Sequence, residues 1–292
     1  MGLNRRHIAF LAASRQLGVS FDRTLTIGRQ TLFADEGSLA SALGEAGDTI
    51  DPDAARRIVG GDGFCEPFIE YLGASRVDSL DASDYEGGSV IHDLNVPLPD
   101  SLRGSFSVVL DSGTLEHVFD FPQALRNCLD AVSVGGHFIA ITPTNNYLGH
   151  GFYQFSPELF YRVLAPENGF RVSCLLLRAE RRGARWYAAA DPADLGARIM
   201  LSGAFPCYLY VIGQRIEQRD PLTQHPQQSD YAVAWTGDDT ALTPKVKRLP
   251  DMPLPVAQAY EWLRLLLNRP SESGLNAVRL ARLADDLPQS RR

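Results

Sequence analysis

Three short β-rich runs each close on a carboxylate: RVDSLD at Asp81, SVIHD at Asp93 and SFSVVLD at Asp111. In open α/β sheets, ligands bind beyond the carboxyl ends of the strands, where the strand order reverses. A carboxylate there can accept both hydroxyl hydrogens of a ribose, and a polar group at the next strand end can meet an adenine amino group. Turns favour Asp for their own reasons, so one such acid would mean little. Three in succession point to a nucleoside-type ligand. A second concentration of chemistry is PTNNYLGHGFYQFSPELF, residues 143–160. Its mixture of Asn, Gly, His, Tyr and Gln suits an acceptor pocket, and equally a loop whose aromatic residues cover a sheet edge. His150, between Gly149 and Gly151, can serve as general base toward a hydroxyl or amine because imidazole titrates near neutrality; the alternative is a hydrogen-bonded loop histidine. Tyr153 can orient a substrate hydroxyl without proton transfer. His117 is assigned first to orienting the Asp111 loop and second to catalysis, and Glu116 likewise; His92 is assigned to packing and His137 to structure. No group of His, Asp and Glu has metal-ligand spacing in the sequence, so no metal is expected.

These residues need a scaffold that gathers strand ends. Short β-rich runs at 24–28, 76–81, 89–93, 105–111, 136–142, 171–178 and 207–214 alternate with helical patterns, which predicts a parallel sheet with helices on its faces. The helices are expected over 66–72, stopped by Gly73, and over 121–132, stopped by Gly135 and Gly136. A third begins at Ser156-Pro157-Glu158, an N-cap followed by proline in the first turn. Residues 1–18 read as an amphipathic first helix stopped by Gly18, with no cleavage site following, which makes a cytoplasmic location the default. Beyond about Glu217, prolines at 221, 226, 244, 250, 253 and 255 mark a linker. The expected division is a domain over 1–217 and a proline-rich, helical extension over 218–292. Val256, Tyr260, Leu263 and Leu267 line one expected helix face, and Leu280, Leu283 and Leu287 another. This extension either packs back on the core or forms a partner surface.

Composition removes several function classes. At 292 residues, with 45% hydrophobic and 22% charged residues, the chain is neither disordered nor fibrous. Its 28 basic and 35 acidic residues give a net charge of −7, so it lacks the electrostatic footprint of a non-specific nucleic-acid binder. The apolar runs are far short of the roughly 18–20 residues needed for a membrane span. Cys65, Cys128, Cys174 and Cys207 have neither zinc nor redox spacing, and are expected to be buried thiols.

Residues 76–170 resemble the class I S-adenosylmethionine-dependent methyltransferases. FSVVLDSGTLEHV gives a buried strand, a terminal acid and the L-E-H-V that many members carry. LDAVSVGGHFIAITP is similar to the family's helix, Gly-Gly turn and fifth strand, and the last two runs match its closing hairpin. The resemblance implies a Rossmann-like three-layer sandwich with a mostly parallel seven-stranded sheet and an antiparallel last strand, plus the C-terminal helical arm. It implies S-adenosylmethionine as cofactor: Asp81 on the ribose, Asp93 and Leu94 at the adenine, and Asp111 and Ser112 beside the methionine portion and the methyl group. Gly28 and Arg29 stand where the family places its first glycine motif, here reduced to TIGRQTLFAD, and 53 positions separate Gly28 from Asp81. Gly60, Gly61 and Gly63, in that insertion, either rebuild the pocket or form a turn; the turn is favoured.

The activity expected is methyl transfer to a hydroxyl or amine of a small-molecule or glycan substrate. Alignment alone can supply roughly 7–11 kcal/mol for well-oriented reactants. The competing reading is a methyltransferase-like module that has lost turnover and serves in binding or as a scaffold. A nicotinamide-dependent oxidoreductase fits poorly, since no G-x-G-x-x-G follows the first long strand. A homodimer is left open.

Overall fold

The computed structural model describes residues 2–235 except 197, 200 and 202, and residues 274–287, with isolated positions between. Strand β1 (Gly2–Asn4) leads directly into helix α1 (Arg5–Ser14). Asn4 caps that helix, its side-chain oxygen accepting from the Arg6 and His7 amides, which satisfies two of the amides a helix start leaves unpaired. The expected stop at Gly18 is present, with φ +81. The amphipathic reading needs correction: every residue from His7 to Ser14 is buried, so α1 is a core helix.

The long insertion after β2 (Arg23–Ile27) holds β3 (Thr31–Phe33), α2 (Glu36–Glu45), α3 (Pro52–Val59) and α4 (Glu66–Tyr71). Then come β4 (Arg76–Asp81), β5 (Val90–Ile91) and β6 (Phe106–Ser112). Helix α5 (Phe121–Ala131) passes straight into β7 (Val132–Asn145). The junction is held by Arg215, 1% exposed, which donates to the carbonyls of Leu129, Asp130 and Val132 at 3.3, 3.2 and 2.6 Å. A guanidinium thus collects the carbonyls that a helix end leaves unpaired. The chain continues through α6 (Pro157–Val163), capped by Ser156, β8 (Phe170–Ala179), β9 (Trp186–Ala189), β10 (Cys207–Arg215) and β11 (Leu275–Val278).

The main sheet runs β11-β9-β8-β10-β7-β6-β2-β4-β5. The five strands from β7 to β5 are parallel, and β10 enters antiparallel between β7 and β8. That is the expected three-layer architecture with its inserted antiparallel strand. Nine strands replace the expected seven, because β9 and β11 add antiparallel strands at the far edge. Both are four residues long, too short to show an alternating pattern. β1 and β3 form a separate parallel pair.

The two sheet faces alternate with period two, as a pleated strand requires. Val108, Leu110, Ile139, Ile141, Tyr210 and Ile212 pack beneath α1–α4. Val109, Phe138, Ala140, Leu209 and Val211 pack beneath α5 and α6. The C-terminal end joins the first layer. Leu280, Leu283 and Leu287 are buried there, and Leu283 N–H donates to the side-chain carbonyl of Gln16 at 2.9 Å. Of the two alternatives for the extension, this part packs back on the core. The helix expected over Val256, Tyr260, Leu263 and Leu267 lies outside the continuously described residues. No helix among the described residues is long and apolar enough to cross a membrane. All four cysteines are buried.

His137 in β7 is 2% exposed, with neither ring nitrogen hydrogen-bonded. Burial first, and then the Arg171 charge, lower its pKa to about 4. Between pH 6.5 and 4 the unfolded chain therefore takes up a proton that the folded chain refuses, and stability falls as pH falls through that window. Urea unfolding of wild type and His137→Leu should show their stability difference shifting by about 2 kcal/mol in favour of the variant between pH 7.5 and 5. A pH-independent difference would show that His137 protonates in the folded state.

Candidate active site

The crevice follows from the strand order. From β2 the sheet extends through β4 to β5 on one side and through β6 to β7 on the other, so the order reverses between β2 and β6, where open α/β sheets bind ligands. At the end of β2, Gly28 turns with φ +73, and its N–H donates to the Leu80 carbonyl at 2.7 Å. The next residue departs from a glycine-rich loop. Arg29 donates to Glu66 Oε1 at 2.6 Å, Asp62 Oδ2 at 2.7 Å and the Glu86 carbonyl at 3.0 Å, and its guanidinium lies 3.7 Å from the centre of the Phe64 ring. Gln30 is buried and donates back to the Ile27 and Gly28 carbonyls. Gly60, Gly61 and Gly63 form the turn that was favoured for them. That turn delivers Asp62 and Phe64 to Arg29, and Leu32 N–H donates to the Gly63 carbonyl to pin it.

Asp81 and Asp93 stand at neighbouring strand ends, after β4 and β5. Asp81 is half-buried, and its Oδ1 accepts the Ser83 amide at 3.4 Å. Asp93 is exposed; the backbone and side-chain N–H groups of Asn95 hold its carboxyl below the usual range. Leu94 is 6% exposed, and its carbonyl accepts from the buried Asn127 side chain at 3.0 Å.

Asp111 is placed differently. It is 0% exposed, and its Oδ1 accepts the Thr114 and Leu115 amides at 2.9 and 3.3 Å. Ser112 is also buried, its Oγ 3.4 Å from His7 Nδ1. Successive on β6, the two side chains leave opposite faces of the sheet, Ser112 toward α1 and Asp111 toward the 114–115 turn.

Beside Asp111 sits Glu116, 0% exposed. Its backbone carbonyl accepts the Phe152 amide at 2.7 Å and the Tyr153 amide at 3.3 Å. Its Oε2 accepts Thr142 Oγ1 at 3.5 Å, and its Oε1 lies 3.3 Å from His150 Nε2. One residue therefore ties the loop after β6 to the loop after β7. Burial raises the Glu116 pKa to about 7. Burial first, and the Glu116 charge second, raise Asp111 well above the ordinary carboxylate range. The His117 and His150 rings meet edge to face, with centroids 4.9 Å apart; partial burial and then His150 lower the His117 pKa. Tyr153 O–H donates to the Phe119 carbonyl at 2.7 Å, so toward a ligand its phenol can only accept. Phe119 and Phe152 stay exposed and pack edge to face at 5.8 Å, an apolar rim beside His150.

No family model and no curated protein matches the chain in sequence. Solved structures do match it at low similarity. A protein assigned as an S-adenosylmethionine-dependent methyltransferase from Listeria monocytogenes is 13% identical, over 70% of this chain and 99% of that one, with a TM-score of 0.36. One assigned as a methyltransferase from Bacillus halodurans is 11% identical, over 72% and 99%, at 0.35. One assigned as a sarcosine dimethylglycine methyltransferase from Galdieria sulphuraria is 16% identical, over 59% and 64%, at 0.35. What decides the architecture is the strand order itself, with β10 antiparallel between β7 and β8. The fold is a Rossmann-like three-layer α/β sandwich with an inserted antiparallel strand.

Two expected site residues, His150 and Tyr153, are thus brought to one loop junction, while Asp81 and Asp93 share a different part of the crevice rim. His92 is half-buried in the turn after β5 and meets the Val96 carbonyl, not the packed strand position expected. Glu116, read from the sequence only as orienting the Asp111 loop, also ties down the β7 loop, which nothing in L-E-H-V signals. Gly151, with φ +68, permits the junction: a Cβ there would stand 2.7 Å from the Glu116 carbonyl oxygen. Gly151→Ala should cost more than about 1 kcal/mol and speed hydrogen exchange at the Phe152 and Tyr153 amides at least about tenfold. Gly149→Ala, with nothing within 4 Å of the added carbon, should leave both unchanged. Equal exchange in the two variants would dissolve the junction.

Proposed function

We propose that this chain transfers a methyl group from S-adenosylmethionine to a hydroxyl or amine of a small-molecule or glycan acceptor. The observation that carries the reading is the division of the crevice rim. Asp81, Asp93 and Leu94 stand at the ends of β4 and β5, and the Glu116–His150 pair stands over the ends of β6 and β7.

The residues fit the nucleoside half of the cofactor. Asp81 Oδ2 takes no hydrogen bond among the described residues, and Oδ1 accepts one long one, so the carboxylate can receive ribose hydroxyls. Leu94 supplies apolar surface at the neighbouring strand end, and Asp93 can accept from an adenine amino group. The methionine half meets Arg29 instead of an acid, and that guanidinium can pair with the cofactor's carboxylate if it exchanges Asp62 for it. Bound there, S-adenosylmethionine supplies an electrophilic methyl group on a positively charged sulfur. The protein's part is to align the acceptor with it and to draw off the acceptor's proton, which falls to the Glu116–His150 pair. Phe119 and Phe152 give the acceptor an apolar face, and Tyr153 offers it a hydrogen-bond acceptor.

A second reading is favoured by one observation. Arg29 is already satisfied by Glu66, Asp62 and Glu86 and stacked on Phe64, as in a module that has lost turnover. Calorimetry with S-adenosylhomocysteine separates the parts. Wild type should bind, and Asp81→Ala should bind about ten- to a hundredfold more weakly, since hydrogen bonds to a charged group contribute roughly 1.5–3 kcal/mol. Equal affinity in a folded Asp81→Ala would remove the ribose assignment. No binding by wild type would leave the second reading.

A further inference from the structure

Three side chains that stand at positions 116, 117 and 150 converge over the ends of β6 and β7. One ligand atom from each of Glu116, His117 and His150 lies within 4.8 Å of the others. Glu116 Oε1 and His150 Nε2 are 3.3 Å apart. Two ligands of a tetrahedral ion with bonds of roughly 2.0–2.1 Å stand about 3.3–3.4 Å from each other, so this pair already has the separation such an ion imposes. The pair is not aligned as a hydrogen bond: Glu116 Oε1 is buried and accepts none. A buried carboxylate oxygen without a partner is costly, whereas the same oxygen facing a cation is satisfied. Thr142 takes up the second oxygen, which fixes the direction of the first. The two imidazoles meet edge to face, not stacked, which leaves ring nitrogens able to turn toward a common point. His150 is carried between two glycines, one with φ +68, so its loop can draw the last ligand inward.

We propose that Glu116, His117 and His150 bind one first-row divalent transition-metal ion of the zinc class, with its remaining coordination positions open to the crevice. Two imidazoles and one carboxylate suit zinc, cobalt or iron, whereas magnesium and calcium prefer oxygen ligands throughout. The set also matches catalytic sites in which three protein ligands leave a position open. The inference rests on the methyl-transfer reading for its use and deepens it: an ion there would lower the pKa of an acceptor hydroxyl, so that the Glu116–His150 pair acts through the ion. The absence of ligand spacing in the sequence does not bear on it, because the fold supplies the third ligand from a separate loop.

The test uses the full chain, treated with chelator and titrated with Co²⁺, followed by visible d–d absorption and by equilibrium dialysis. One Co²⁺ per chain is expected, displaced by Zn²⁺. His117→Asn and His150→Asn should each weaken binding about a hundredfold while still unfolding cooperatively, and His92→Asn should bind as wild type does. Both substituted histidines reach solvent, so the test does not depend on altering buried Glu116. A titration without a stoichiometric end point overturns the site, as does an end point that both histidine variants retain. No S-adenosyl compound is present, so failure to bind metal leaves the cofactor reading standing, and failure to bind S-adenosylhomocysteine leaves the metal site standing.

Discussion

A buried glutamate joins two loops that the sheet alone would leave independent. The Glu116 carbonyl receives two amides from the β7 loop, its side chain receives Thr142 and faces His150, and Gly113 and Gly151 pack against it where a larger residue would collide or strain the backbone. Removing a carboxylate from water is costly unless its lone pairs are used, and here one oxygen is used and the other is not. The same residue shapes the side of the crevice proposed for the acceptor. Asp111 beneath it caps the turn that presents Glu116, so the two raised acids belong to one construction.

The opposite wall is built by different means. Where a glycine-rich loop would lie open, Arg29 is clamped by two acids and a carbonyl and stacked on Phe64. Both Asp62 and Phe64 come from the insertion that lengthens the path from Gly28 to Asp81. A charged guanidinium with three acceptors is a firm support, and it changes the electrostatics offered to the amino-acid end of a cofactor. The ends of β4 and β5 keep their carboxylates, Asp81 and Asp93, for the nucleoside end proposed above.

The parallel strands were legible in the sequence because each joins an apolar run to a turn residue, and all seven expected runs are strands in the main sheet. The helix capped by Ser156 and the one stopped by Gly73 were legible for the same local reason, whereas α5 ends at Ala131 and the glycines expected to stop it, Gly135 and Gly136, lie inside β7. Strands β9 and β11 were not, since four residues carry no clear alternation and their pairing partners are distant in sequence. The N-terminal helix was misread as amphipathic because its small residues hide how completely it is buried. In the site, His150 was visible by its residue type and its glycines. Glu116 was read only as orienting the Asp111 loop, because nothing local marks an acid whose partners Thr142, His150 and Phe152 lie 26 or more residues away. The convergence of Glu116, His117 and His150 is likewise a product of tertiary structure alone.

The proposed binding of an adenosyl compound at the ends of β2, β4 and β5 carries the functional reading. Its most direct test is an amide NMR titration of the full chain with S-adenosylhomocysteine. The account predicts saturable shifts at Gly28, Ser83 and Asn95, the amides that flank the ends of those three strands, with Asn276 and Ala277 of β11 unmoved. Shifts confined to the β11 edge, or none at saturating ligand, would contradict it.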